Sequence, residues 1–160
     1  MTVRALTRVS RTAGAVLLAV LVVTGCASAR ATASVAIASA YVPQPTTPGT
    51  TVAYLDIRND GPADRLVAVH TSVGGTVVLR APAGRHGSVL AMRTVPDIPV
   101  PADSMTELDP DGFHLLITGA GPMRDGKDIM LRLTFVTAGT VTVPAMVTDP
   151  ESGGSSYFLN

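Results

Sequence analysis

From residue 34 onward the chain is a series of short runs in which apolar and polar residues alternate with period two, the spacing of a half-buried strand rather than of a helix. The clearest run is Thr51 to Asn59, with Ala53, Leu55 and Ile57 on one side and Val52, Tyr54, Asp56 and Arg58 on the other. One face of it is predicted to be core. Before it, Ser34 to Val42 has strand character, and the connection carrying Pro43, Pro45 and Pro48 forbids helix and central-strand pairing alike. After it, Asn59 to Asp64 is dense in turn formers. Arg65 to Ser72 and Thr76 to Arg80 follow as strands, split by Gly74 and Gly75, with His70 predicted on the face of Leu66 and Ala68. The segment APAGRHG reads as a loop. SVLAM, a Pro-rich stretch with one strand-like segment, SMTEL, the turn Asp109 to Gly112 and FHLLITG come next. Ile129 to Val136 and Thr140 to Val147 are the last strands, and Pro144 predicts that the final one lies at an edge or is bulged. Sustained i, i+3, i+4 apolar spacing is absent from this part of the chain. Eight or nine short strands with turn signals between them predict an all-β fold, a Greek-key β-sandwich or small barrel with no long helix.

The first 25 residues follow a different pattern. Arg4, Arg8 and Arg11 precede an apolar run from Ala15 to Val23 that is too short for a bilayer, which takes about 20 residues. A basic segment, a short apolar segment and small residues describe a secretory signal. VTGC resembles a bacterial lipobox, which implies that Cys26, the single cysteine of the chain, is lipidated and becomes the mature N-terminus. The expected organisation is a lipoprotein signal peptide at 1–25, a flexible tether at 26–34, a β-sandwich domain at 35–148 and a mobile tail at 149–160. The expected location is the extracytoplasmic face of the bacterial cell membrane, held by the lipid anchor. With Cys26 so used, no thiol remains for disulfides, thiolate ligation or nucleophilic catalysis.

Removing residues 1–25 takes three of the 12 basic residues and none of the 12 acidic ones, leaving a mildly acidic domain. It has no basic patch with interleaved aromatics, which argues against nucleic acid as a partner. No GxSxG or HExxH string occurs, and Asp109 and Asp111 flank Pro110 as turn formers, so the chain is not read as an enzyme. A blue-copper centre is excluded too, because it needs a cysteine in the domain.

The chemistry that remains is soft-donor chemistry. Met92 ends SVLAM and His114 opens HLLI, with 21 residues between them. On two neighbouring strands a thioether and an imidazole converge, and those donors select Cu(I) over oxygen-loving ions. The plain reading stays open beside it: methionine is an ordinary core filler, and a histidine next to an aromatic is often a hydrogen-bonded edge residue. Met105, Met123, Met130 and Met146 read as core or surface residues, Met105 being the one that could lie near the site.

Several segments together resemble the periplasmic copper chaperone family PCu(A)C: AYLDIRNDG followed by DRLVAV, then PADSMTELDPDGFHLLITG, then LRLTFVTAGTVTV, spanning about residues 51–147. The resemblance implies a cupredoxin-like sandwich that holds Cu(I) at an exposed His/Met cluster. It also implies hand-over of the ion to an acceptor outside the cytoplasm, such as a cytochrome c oxidase copper centre, or receipt from another chaperone. The family motif is a His, a Met some ten residues on, 21 residues, then H-x-M. Met92 matches its first Met and His114 its second His. Arg80 stands at the first His and Leu116 at the last Met, and Leu90 where members often have another Met. A guanidinium donates no lone pair and repels a cation unless it swings to solvent, and Leu116 supplies only shielding. His86, six residues from both Arg80 and Met92, is the candidate replacement ligand if a flexible loop carries it over the site. Two readings follow: a copper(I) site of Met92, His114 and His86, or a non-metal sandwich whose decayed site has become a protein-interaction face.

Overall fold

The structure is a computed structural model, and it describes residues 34–86 and 89–149, without the side chains of residues 85, 86, 89 and 90. The leader, the Cys26 lipidation site, most of the tether and the tail beyond Asp149 lie outside the described residues.

Ten strands form, one or two more than the alternation predicts: β1 (Val35–Pro43), β2 (Thr50–Asn59), β3 (Asp64–Thr71), β4 (Thr76–His86), β5 (Val89–Thr94), β6 (Ile98–Val100), β7 (Ser104–Leu108), β8 (His114–Thr118), β9 (Asp128–Phe135) and β10 (Thr140–Thr148). They hydrogen-bond in the order β5-β4-β8-β2-β1-β10-β9-β3-β6, with β7 on β2, as one unclosed sheet. The chain folds this sheet into two layers at β2, whose one edge is shared: Thr50 to Ala53 pair with β8, and Leu55 to Asn59 pair with β7. Alternation on β2 is as the sequence predicts, with Ala53, Leu55 and Ile57 buried. They meet Leu115 and Ile117 of β8, Leu131 and Leu133 of β9, and Leu66 and Ile98 in one apolar core. Burial of this kind is the main favourable contribution to folding.

Three sequence expectations are corrected by pairing. β4 runs on through APAGRH to His86, which pairs with Val89, so this segment is a hairpin arm and not a loop. β10 is not an edge strand: it lies between β1 and β9. Pro144 is accommodated because β10 pairs with β1 only from Met146 onward, so at Pro144 the ladder has one partner, Met130 of β9. A register shift between Leu66 and Ala68 of β3 inverts the alternation, which buries Leu66 and Val69 and turns His70 to the outside. One such bulge moves every later side chain to the opposite face.

Two buried polar side chains close the ends of the sandwich. Asn59 donates to the carbonyls of Pro62 (2.8 Å) and Pro101 (2.9 Å) and accepts from the Gly61 amide (3.1 Å), tying the end of β2 to the β6–β7 connection. Asp64 accepts from the amides of Arg65 (2.7 Å), Thr137 (2.9 Å) and Ala138 (2.7 Å), anchoring the β9–β10 turn to the start of β3. Burial alone would push its carboxyl up, but these amides outweigh it and hold the group below the usual carboxylate range. Its stabilisation is therefore present at neutral pH and is lost as pH falls below about 3.8. Asp64→Ala leaves the amides of Arg65, Thr137 and Ala138 without this acceptor and is expected to cost about 2 kcal/mol or more. Urea unfolding at pH 7 checks this: a lower midpoint at unchanged slope is predicted, and a midpoint equal to that of the unsubstituted protein contradicts it.

Candidate metal centre

Register brings distant residues into one row. β4 is paired on both sides, with Arg80 opposite Thr94 of β5 and opposite His114 of β8. The β8–β2 ladder, which pairs Val52 with Leu116 and Ala53 with Leu115, continues to set Tyr54 beside His114. Tyr54 is in turn opposite Tyr41 of β1. Neighbours in register on a sheet share a face. Leu79 and Ala81 of β4 and Leu115 of β8 point inward, so the row Thr94, Arg80, His114, Tyr54, Tyr41 lies on the outer face. His114 and Tyr54 meet edge-on, with centroids 6.3 Å apart at 67°, and Tyr54 and Tyr41 are tilted, 5.2 Å apart at 45°.

Met92 stands on this same face, one row further along, opposite Pro82. It is half-buried, as is His114. Two strand spacings and two residues separate the main-chain positions of Met92 and His114, about 12 Å. The thioether and the imidazole thus flank Arg80 from β5 and β8 and reach toward each other only across β4. Leu116 shares the outer face two residues from His114, between Val78 and Val52, and gives the row an apolar border.

Arg80 does not swing out to solvent. Its Nη2 donates to the Met92 carbonyl at 2.9 Å and its Nη1 to the Thr94 hydroxyl at 3.2 Å, so the guanidinium lies along β5, near enough for its charge to act on His114. The main chain of His86 is at the tip of the β4–β5 hairpin, six residues on from Arg80, on the order of 15–20 Å from the row at ordinary strand rise. Its side chain is outside the described ones. Met105, opposite Arg58 on β7, is four residues along β2 from Tyr54 and away from the row. His70 is exposed on another part of the sheet, opposite Arg132. Among the described residues no group of three or more His, Cys, Asp or Glu is arranged to hold a metal.

The imidazole of His114 is unusual in its bonding. Its Nδ1 is buried without a hydrogen bond of ordinary geometry, and the Gly112 backbone is the main-chain group that acts on the ring. Burial, with the Arg80 charge adding to it, pushes the ring's pKa below 6.5 against the opposing effects of the Gly112 backbone and Asp109. The ring is therefore neutral at pH 7, the form that donates to a metal. Tyr41 and Tyr54 are pushed above their ordinary values by burial first; Asp109 adds to both, Asp56 to Tyr41, and the two rings act on each other at Tyr54. Both phenols stay protonated. The sequence reading missed this aromatic flank and treated Asp109 as a turn former only. Tyr54 was visible on the outer side of β2, but nothing local indicates that β8 would lay His114 beside it.

A family model described as "Putative lipoprotein LpqE-like" matches residues 35–147. The chain belongs to the LpqE-like family. A relative from Leifsonia xyli subsp. xyli (strain CTCB07), named "Putative lipoprotein Lxx21020", is 26% identical over 111 residues, 68% of this chain and 67% of that protein. Among solved structures, the copper-bound PCuAC domain from PmoF2 superposes with a TM-score of 0.62 at 22% identity, over 72% of this chain and 93% of that one. CuI-DR1885 from Deinococcus radiodurans gives a TM-score of 0.58 at 24% identity, over 79% and 83% of the two chains. The LpqE-like chain therefore has the cupredoxin-like fold of PCuAC domains, as its sequence resemblance implied.

The depressed pKa of His114 sets a pH dependence. The unfolded chain, with an ordinary imidazole, binds the proton more readily than the folded chain, so this group removes stability as pH falls from about 6.5 through the lower folded value. Thermal melts between pH 7.5 and 5 are expected to fall more steeply for the unsubstituted protein than for His114→Gln. Parallel slopes would contradict the assignment.

Proposed function

We propose that this LpqE-like protein is a copper(I)-binding carrier whose metal face is the outer surface of β4, β5 and β8, with Met92 and His114 as its protein donors. The observation that carries the reading is the placement of the neutral His114 imidazole and the Met92 thioether on one outer sheet face, on the two strands that flank Arg80. Copper is the cargo, and neutral nitrogen and thioether donors suit its reduced form. An open sheet face suits transfer, because incoming ligands replace outgoing ones one at a time. Structural likeness to a copper-bound PCuAC domain and to CuI-DR1885 supports the same reading.

Lipidation at Cys26 would place the domain on the extracytoplasmic side of the cell membrane through the tether, in keeping with the lipoprotein description of the family and of the Leifsonia xyli relative. There it would receive copper from, or hand it to, a partner such as a cytochrome c oxidase copper centre. This is a carrier role and not catalysis. His86 serves as a third donor only if the hairpin tip curls back over the face.

The alternative, a non-metal sandwich acting as a protein-interaction module, draws its support from Arg80 and Leu116. An anaerobic Cu(I) titration of the soluble domain against a chromophoric chelator separates the two. One equivalent is expected to bind, Met92→Leu and His114→Ala each weakening it tenfold or more, while Met105→Leu and Met130→Leu leave it unchanged. Leu116→Met, which adds a sulfur on the His114 face, is expected to tighten it. The absence of stoichiometric binding, or indifference to Met92→Leu and His114→Ala, favours the interaction module.

A further inference from the structure

Arg80 is cross-strand partner to His114 and hydrogen-bonded to the main chain of Met92, so it adjoins both proposed donors. The carbonyl and the hydroxyl that its guanidinium donates to are neutral. The ion pairs seen among the described residues, Arg58 with Asp60 and Arg65 with Asp97, do not involve it. The carboxylate whose charge acts on His114 is Asp109, and its Oδ1 is engaged by the Gly112 amide in the β7–β8 turn. Thioether and imidazole are both neutral donors, so a Cu(I) ion they held would keep its full charge beside a guanidinium that is always protonated. Two adjacent cations on a half-buried surface repel. Two protein donors also leave a coordination position open on the ion.

We infer, on the copper reading above, that the third ligand is a soft monoanion from outside the chain, a halide or a thiolate, held between the metal and the Arg80 guanidinium. One anion satisfies both needs: it completes the coordination of Cu(I) and neutralises Arg80, whose fork of N–H donors is built for anions. Softness is required by the metal, which makes a carboxylate a poor candidate. The hydrogen bonds to Met92 and Thr94 fix the guanidinium on the β5 side of the face, so the anion enters on the Met92 side and not over the aromatic flank. Arg80, which occupies the position of a lost ligand, thus acts by binding the ligand's replacement.

Affinity for Cu(I) is measured by chelator competition in sodium perchlorate, in sodium chloride at the same ionic strength, and in perchlorate with N-acetylcysteine amide, for the unsubstituted domain and for Arg80→Gln. Arg80→Gln keeps a donor for the Met92 carbonyl and removes the charge. Chloride or the thiol is expected to raise the affinity of the unsubstituted domain several-fold relative to Arg80→Gln. A gain with chloride identifies a free halide as sufficient, and a gain with the thiol alone identifies a thiolate, as a partner's cysteine would supply. Equal anion dependence in the two proteins overturns the inference and leaves the copper reading intact. No Cu(I) binding by either protein in any of the three media overturns both. In the metal-free domain, chloride is expected to shift the Arg80 Nε–H and Met92 amide resonances but not that of Thr142, and the absence of any such shift counts against the anion seat.

Discussion

The position of β4, hydrogen-bonded to β5 on one edge and to β8 on the other, is the constraint on which the rest of the site depends. Antiparallel register fixes which residues share a row and which face they occupy, and here it sets Arg80 between Thr94 and His114 with Met92 one row away. A slip of one residue on either edge would send His114 or Met92 into the core and bring Leu115 or Ala91 out. The slip is prevented by burial: Leu79, Ala81, Leu115 and Ile117 all need the inner face, and the pairing that satisfies them settles the outer face as well. The proposed metal face is thus a consequence of core packing on the other side of the same strands.

Much of the architecture was legible in the sequence because alternation is a local property. The burial of Ala53, Leu55 and Ile57 follows from period two alone, and the break between β3 and β4 follows from the adjacent Gly74 and Gly75. Where the reading failed, a non-local pairing overrode a local signal. APAGRHG carries two glycines and a proline and reads as a loop, yet β5 holds it in register through to His86, with a bulge at Pro82 to Gly84 absorbing the irregularity. Pro144 reads as an edge because sequence does not reveal that β10 gains its second neighbour two residues later. His70 went to the wrong face through a bulge that no residue in Leu66 to Ala68 announces.

For the candidate site, the two residues proposed as donors could be picked out from the sequence, but not what surrounds them. Residue type and spacing selected Met92 and His114. The row of Tyr54 and Tyr41 beyond His114 depends on β2 lying between β8 and β1, a topological fact. The same holds for Arg80. Side-chain length suggested that it would reach solvent, but Thr94 and the Met92 carbonyl on the adjacent strand offer two acceptors within reach, and the fixed guanidinium is part of the face. The electrostatics follow from this arrangement: a neutral imidazole kept neutral by burial, a cation beside it, and Asp109 held in its turn at the end of the row. On the proposed reading, a carrier on this fold works with two protein donors and with a cation of its own beside them.

The most direct test is a map of where the metal goes. The methionine methyl and histidine ring resonances of the domain, followed by NMR during anaerobic addition of Cu(I), report every soft donor at once. The account predicts that Met92 and His114 shift together and saturate at one equivalent, with Tyr54 ring signals following and Met130 and His70 unmoved. Saturable shifts centred on Met130 and His70, or Met92 and His114 responding independently of each other, would contradict it.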